Sequence, residues 1–105
     1  HGAATLAHRV ADTLKRGNAA GEVIDAVSRE DLWAMETPQI FSLTLLREAY
    51  AGVISRGEIV TDEVSAVTAL GGVVKLVENT EPNLKITVPG DLAVAEAILR
   101  GRDQR

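Results

Sequence analysis

The side chains best suited to chemistry in this sequence are cations and hydroxyls. Arg29 offers a planar fork of N–H donors that matches a phosphate, and Lys85 a compact ammonium that can approach one. Lys15 and Arg16 are the other cationic candidates. Thr13, Thr37 and Thr61 each fall at the end of an expected element, where a hydroxyl can complete an anion site. A helix beginning at Thr61 would also turn amide donors outward. Taken singly, each residue has a structural use as well: a surface arginine pairs with carboxylates, a threonine caps a helix, and a lysine on the polar face of a strand is solvated.

Nucleophilic and metal chemistry find no support in the residue types. No serine has a plausible histidine partner, and the nine glycines nowhere form a Walker or dinucleotide-type loop. There is no cysteine, and the two histidines, His1 and His8, do not form a metal-ligand pattern. Glu30 and Asp31 are adjacent, so their side chains diverge; Asp62 and Glu63 are better explained by the start of a helix. A formal net charge of −4 gives no global attraction to nucleic acid or to an anionic membrane. Any phosphate must therefore be met by a few placed cations.

Periodicity and punctuation predict the elements that position these groups. Residues 2–10 read as a strand with Leu6 and Val10 on one face. Residues 11–16 and 22–28 flank the turn-rich stretch from Gly17 to Gly21 and read as a β-hairpin, thin in large apolar residues and in need of support. The stretch from Arg29 to Phe41 holds the only Trp, Met and Phe of the chain. It reads as a connector or binding loop anchored by Trp33, with Thr37 forced extended by Pro38 so that Ile40 and Phe41 are delivered onward.

Ser42 can cap a helix through Ser55 or Arg56, with Leu43, Leu46, Tyr50 and Val53 as its apolar stripe, Ile54 broadening it and Gly57 ending it. A second helix is expected from a Thr61 cap, buried through Val64, Val67 and Leu70 and stopped by Gly71 and Gly72. Residues 73–77 and 84–88 read as strands, the latter with Leu84, Ile86 and Val88 on one face and Lys85 on the other. Pro89 suits a first helical turn, residues 91–99 a closing helix with Leu92, Ala95 and Leu99 on one side, and residues 100–105 a fraying polar tail. Helices alternating with strands predict an α/β fold with a largely parallel sheet of about three core strands. One edge of that sheet is left open and needs a partner.

Several blocks, in order, resemble the 2-C-methyl-D-erythritol 4-phosphate cytidylyltransferases of the non-mevalonate isoprenoid pathway. They are residues 10–16 (VADTLKR), 27–29 (VSR), Leu32-Trp33, 37–41 (TPQIF), 61–66 (TDEVSA), 75–78 (KLVE), 83–87 (NLKIT) and 91–93 (DLA). The resemblance covers the C-terminal half of such an enzyme. It implies a partial Rossmann-like nucleotidyltransferase fold, mostly parallel in its sheet, with residues 1–105 as one partial domain and 11–36 as a protruding hairpin arm that hooks around a second subunit. It also implies transfer of a cytidylyl group from CTP to the sugar phosphate, release of pyrophosphate, and a divalent cation (Mg) in the complete enzyme, bound by no residue of this chain.

Arg29 and Lys85 match the family's phosphate-positioning basic residues, and Thr13, Thr37 and Thr61 match polar positions lining that pocket. Arg9 stands where the family usually has Pro. The family's Gly-rich CTP loop and its acidic motif fall outside the matched half, so the lone chain is expected to lack turnover. A homodimer or swapped oligomer, a cytoplasmic location, and no nucleic-acid or membrane partner complete the expectation. A ribitol phosphate cytidylyltransferase fragment and a non-catalytic self-associating module are the alternative readings.

Overall fold

The computed structural model describes residues 2–103. Five strands and three helices follow one another as β1 (Ala3–Arg9), β2 (Leu14–Gly17), β3 (Val23–Val27), β4 (Trp33–Phe41), α1 (Leu43–Arg56), α2 (Glu63–Ala69), β5 (Lys75–Glu78) and α3 (Gly90–Asp103). β1 is the middle of a three-stranded sheet ordered β4-β1-β5. It runs antiparallel to β4, with Ala3 opposite Phe41 and Arg9 opposite Trp33, and parallel to β5, with Ala4 opposite Lys75.

The sheet is thus mixed, which corrects the expectation of a mostly parallel one. The cause lies in residues 33–38, expected as a loop. They are the first two-thirds of a nine-residue strand whose register against β1 shifts between Thr5 and Ala7, close to the cis Thr37–Pro38 bond. A bulge of this kind lets proline sit in a strand, at an edge where its missing N–H costs no ladder bond.

β2 and β3 form a separate antiparallel ribbon. Its turn is pinned by the Asn18 side-chain carbonyl, which accepts from the amides of Ala20 and Glu22 at 3.0 Å each, and an Arg16–Asp25 ion pair at 3.5 Å crosses the strands. The ribbon is inserted between β1 and β4, and at its base the Val10 amide donates to the Leu32 carbonyl at 3.2 Å. Arg9 stacks over the Trp33 ring at 4.3 Å and pairs with Glu78 at 3.3 Å, which ties the exit of β1 to β4 and β5.

α1 starts where expected: the Ser42 hydroxyl accepts from the Leu45 amide at 3.2 Å, and Gly57, at φ 66°, closes it by donating to the Ile54 carbonyl. Its buried stripe is shifted from the expected one. Ala49 and Val53 are buried with Leu45 and Tyr50 packed beside them, whereas Leu43 and Ile54 are exposed. α2 is capped by Asp62 in place of Thr61, through a 2.8 Å bond from the Ser65 amide. Ala66 and Val67 are its buried residues, while Leu70 reaches the surface. The chain then turns back so tightly that a Cβ on Gly72 would lie 2.8 Å from Val67 Cγ1.

Two C-terminal expectations fail. Residues 84–88 form no strand: they pair with no other strand, and the chain bends at Val88. α3 runs on through residues 100–103, where a frayed tail was expected, and residues 104 and 105 lie outside the described residues. Arg100 pairs with Glu96 at 2.8 Å and Arg102 donates to the Pro82 carbonyl at 2.8 Å, which favours continuing the helix. No side chain of α3 is buried; Leu92 and Leu99 are exposed and Ala95 is half-buried.

The core is small, formed by Ala3, Ala49, Val53, Ala66 and Val67 where one face of the sheet meets α1 and α2. The opposite face leaves Ala4, Leu6, Pro38, Ile40 and Val77 lining an open apolar depression. The radius of gyration, 17.4 Å, exceeds the about 13 Å of a compact chain of this length.

Candidate functional site

The C-terminal end of β1, the middle of β4, the start of α2 and the segment carrying Asn83 and Lys85 converge on one concavity of about 430 Å³. Lys85 and Thr37 line it, together with Asp62 and Glu63 at the head of α2. His8 and Glu36 form its floor and border a neighbouring hollow under the loop from Asn79 to Asn83.

Glu36 is the best-satisfied polar group there. Its side chain is 7% exposed, its Oε2 lies 2.7 Å from His8 Nδ1, and its Oε1 accepts from Asn79 Nδ2 and Asn83 Nδ2 at 2.8 Å each. A carboxylate only accepts, so Nδ1 of His8 carries the proton of that contact. The bonds from Asn79, Asn83 and His8 hold the Glu36 carboxyl below its ordinary range, outweighing the opposing effect of desolvation. Asp62 is lowered too, by its capping bonds to Ser65. Both carboxylates are therefore charged near neutrality, and with Glu63 they outnumber Lys85.

Of the residues picked from the sequence, Lys85 and Thr37 meet in this concavity, and Thr61 stands beside it, exposed and preceding the Asp62 cap. Arg29 and Thr13 are not brought there. Both flank the ribbon, which forms no ladder with the main sheet, and the exposed Arg29 guanidinium donates to the Ala11 carbonyl at the ribbon's base. The sequence reading missed His8, Glu36, Asn79 and Asn83. Their contacts span up to 47 positions, which no local pattern announces. Among the described residues no three His, Asp or Glu side chains converge as metal ligands. With Glu36 holding three donors and Asp62 engaged as a cap, the donor set here does not fit the divalent cation that the resemblance implies.

A search of known structures finds this fold in α/β nucleotidyltransferases. The Thermus thermophilus 2-C-methyl-D-erythritol 4-phosphate cytidylyltransferase superposes with a TM-score of 0.80 at 40% identity, covering 94% of this chain and 48% of that one. The Francisella tularensis enzyme of the same name gives 0.81 at 32% identity over 92% and 45%. Among curated relatives, the 2-C-methyl-D-erythritol 4-phosphate cytidylyltransferase of Desulforamulus reducens is 44% identical over 102 residues, which is 97% of this chain and 44% of that protein.

The family described as IspD, 2-C-methyl-D-erythritol 4-phosphate cytidylyltransferase, matches residues 1–101, and the chain belongs to it. It spans less than half the length of these relatives.

Proposed function

We propose that this chain is the sugar-phosphate-binding, self-associating C-terminal half of a cytidylyltransferase acting on CTP and 2-C-methyl-D-erythritol 4-phosphate. The observation that carries the reading is the concavity where Lys85 meets Thr37, in a chain of this family. A phosphate oxygen of the sugar phosphate attacks the α-phosphorus of CTP in line, a new P–O bond forms, and the bond to the departing pyrophosphate breaks. Such a transfer needs positioned cations more than a protein nucleophile. Lys85 holds the attacking phosphate, with Thr37 and Thr61 as hydroxyl partners. Asp62 and Glu63 can accept from the hydroxyls of the polyol.

Charge supports a second copy of the chain at this site. One ammonium among three carboxylates is a poor seat for a phosphate dianion. Arg29, exposed at the base of a ribbon that also carries Lys15 and Arg16, is the cation in reach once the ribbon of another subunit lies over the concavity, and Thr13 arrives with it. The open apolar sheet face beside Ile40 and Val77 suits the half that holds CTP, so the chain alone is expected to give no turnover.

Subunit mixing tests this in the full-length enzyme. Arg29→Ala and Lys85→Ala are each expected to cut pyrophosphate release at low sugar-phosphate concentration to a small residual rate, whereas exchange between the two impaired dimers restores about a quarter of the parent rate, since half the dimers then hold one intact site. No recovery on mixing would place both residues in sites of the same subunit and overturn the arrangement.

A further inference from the structure

Lys85 lies in a segment with no ladder to hold it. Residues 82–87 belong to no helix or strand, so whatever fixes the Lys85 backbone must come from side chains. Two anchors do so. Downstream, the Asp91 carboxylate accepts from the amides of Thr87 and Val88 at 3.0 and 3.2 Å. Upstream, Asn83 donates to Glu36 Oε1 at 2.8 Å and to the Thr37 carbonyl at 2.6 Å.

Glu36 is the hub of the upstream anchor. It joins His8 of β1, its own strand β4, and Asn79 and Asn83 at the two ends of the loop after β5. Asn79 is in turn fixed by its amide to the Ala7 carbonyl at 2.9 Å and by its side-chain amide to the Glu81 carbonyl at 2.9 Å. A shielded carboxylate with three donors is a costly way to stabilise a strand, since apolar side chains serve as well. What it supplies instead is a fixed direction for the chain that carries Lys85.

We propose that Glu36, held by His8 and bonded to Asn79 and Asn83, is a positioning residue that sets the Lys85 ammonium at the height of the substrate phosphate. The inference rests on the reading of Lys85 as the phosphate-holding cation. Glu36 touches no reacting atom in this scheme; it acts only through the segment from Asn83 to Lys85.

A double-mutant cycle on KM for the sugar phosphate, in the full-length enzyme, tests the coupling. Lys85→Ala and Glu36→Ala are each expected to raise that KM, the latter by about tenfold for a displacement below an ångström. KM for CTP stays unchanged in both. The double variant is expected to be no worse than Lys85→Ala alone, because a residue acting through Lys85 has nothing left to act on. Glu36→Gln keeps one oxygen for the two asparagines and is expected to recover most of the loss. Asn83→Ala, at an exposed position that leaves the strands intact, repeats the Glu36→Ala effect if that variant folds poorly.

Additive losses in the double variant would overturn the positioning role while leaving Lys85 in place, as would parent-like sugar-phosphate KM in both Glu36→Ala and Asn83→Ala. An unchanged sugar-phosphate KM in Lys85→Ala would overturn the assignment of Lys85, and the positioning role with it.

Discussion

Glu36 couples protonation to folding. Its carboxyl is held below the ordinary range by donors that exist only in the folded chain, so the folded state prefers the charged form. For such a group the stabilisation is complete above the ordinary glutamate value and is lost as the pH falls through the lowered, folded value. The charged and titratable groups around it are His8 on β1, Asp62 and Glu63 at the head of α2, Glu81 in the loop after β5, and Lys85. Urea unfolding across that acid window is expected to show a steeper loss of stability in the parent than in Glu36→Gln, which has no proton to gain there. Equal acid limbs would assign the loss to other carboxylates, Asp62 first among them, since its capping bonds lower it as well. None of this was legible in the residue types alone. Glu36 sits in a stretch that reads as a loop and His8 in one that reads as a strand, and only the pairing of β1 with β4 and the return of the loop after β5 bring them together.

At the scale of elements, punctuation was the most legible part of the chain. Ser42 and Gly57 bound α1 because each satisfies orphan backbone groups locally, and such contacts need no knowledge of the fold. Ser42→Ala is expected to cost about 1 kcal/mol of stability in chemical denaturation, by leaving the Leu45 amide without its partner. The misreadings came where tertiary context decides. Thr61 and Asp62 are both competent caps, and the choice of Asp62 depends on how the chain arrives from Val60, which packs against the core. Residues 84–88 alternate like a strand, yet alternation makes a strand only beside another edge. Residues 33–38 read as a connector or loop, whereas the register shift between Thr5 and Ala7 lets β4 carry Pro38 within a strand.

The whole molecule presents more apolar surface than its core explains. Val23 and Ile24 on the ribbon are 69% and 57% exposed, on a two-stranded unit that is marginal in isolation. If the ribbon seats on a second copy, Ile24→Asp is expected to shift the protein from dimer to monomer in sedimentation, while a charge at the still more exposed Ile59, in the loop after α1, leaves the dimer intact. A dimer that survives Ile24→Asp would move the contact elsewhere. The class of fold could be read from the alternation of elements and the family from its ordered blocks. The direction of β4, and with it the mixed sheet, could not, because an antiparallel return across a long excursion leaves no mark in periodicity.

The place of β1 at the centre of the sheet also sets a timetable for synthesis. Ala4 pairs with Lys75, about seventy positions later, whereas Leu14 pairs with Val27 across a short turn. As the chain leaves the ribosome, the ribbon can close within microseconds of its emergence. β1 must wait beside β4 with its other edge bare until β5 has been made, several seconds later at ordinary elongation rates. For that interval the first strand is the one a chaperone would shield, and its small residues, Ala3, Ala4 and Ala7, give a competing strand little to hold.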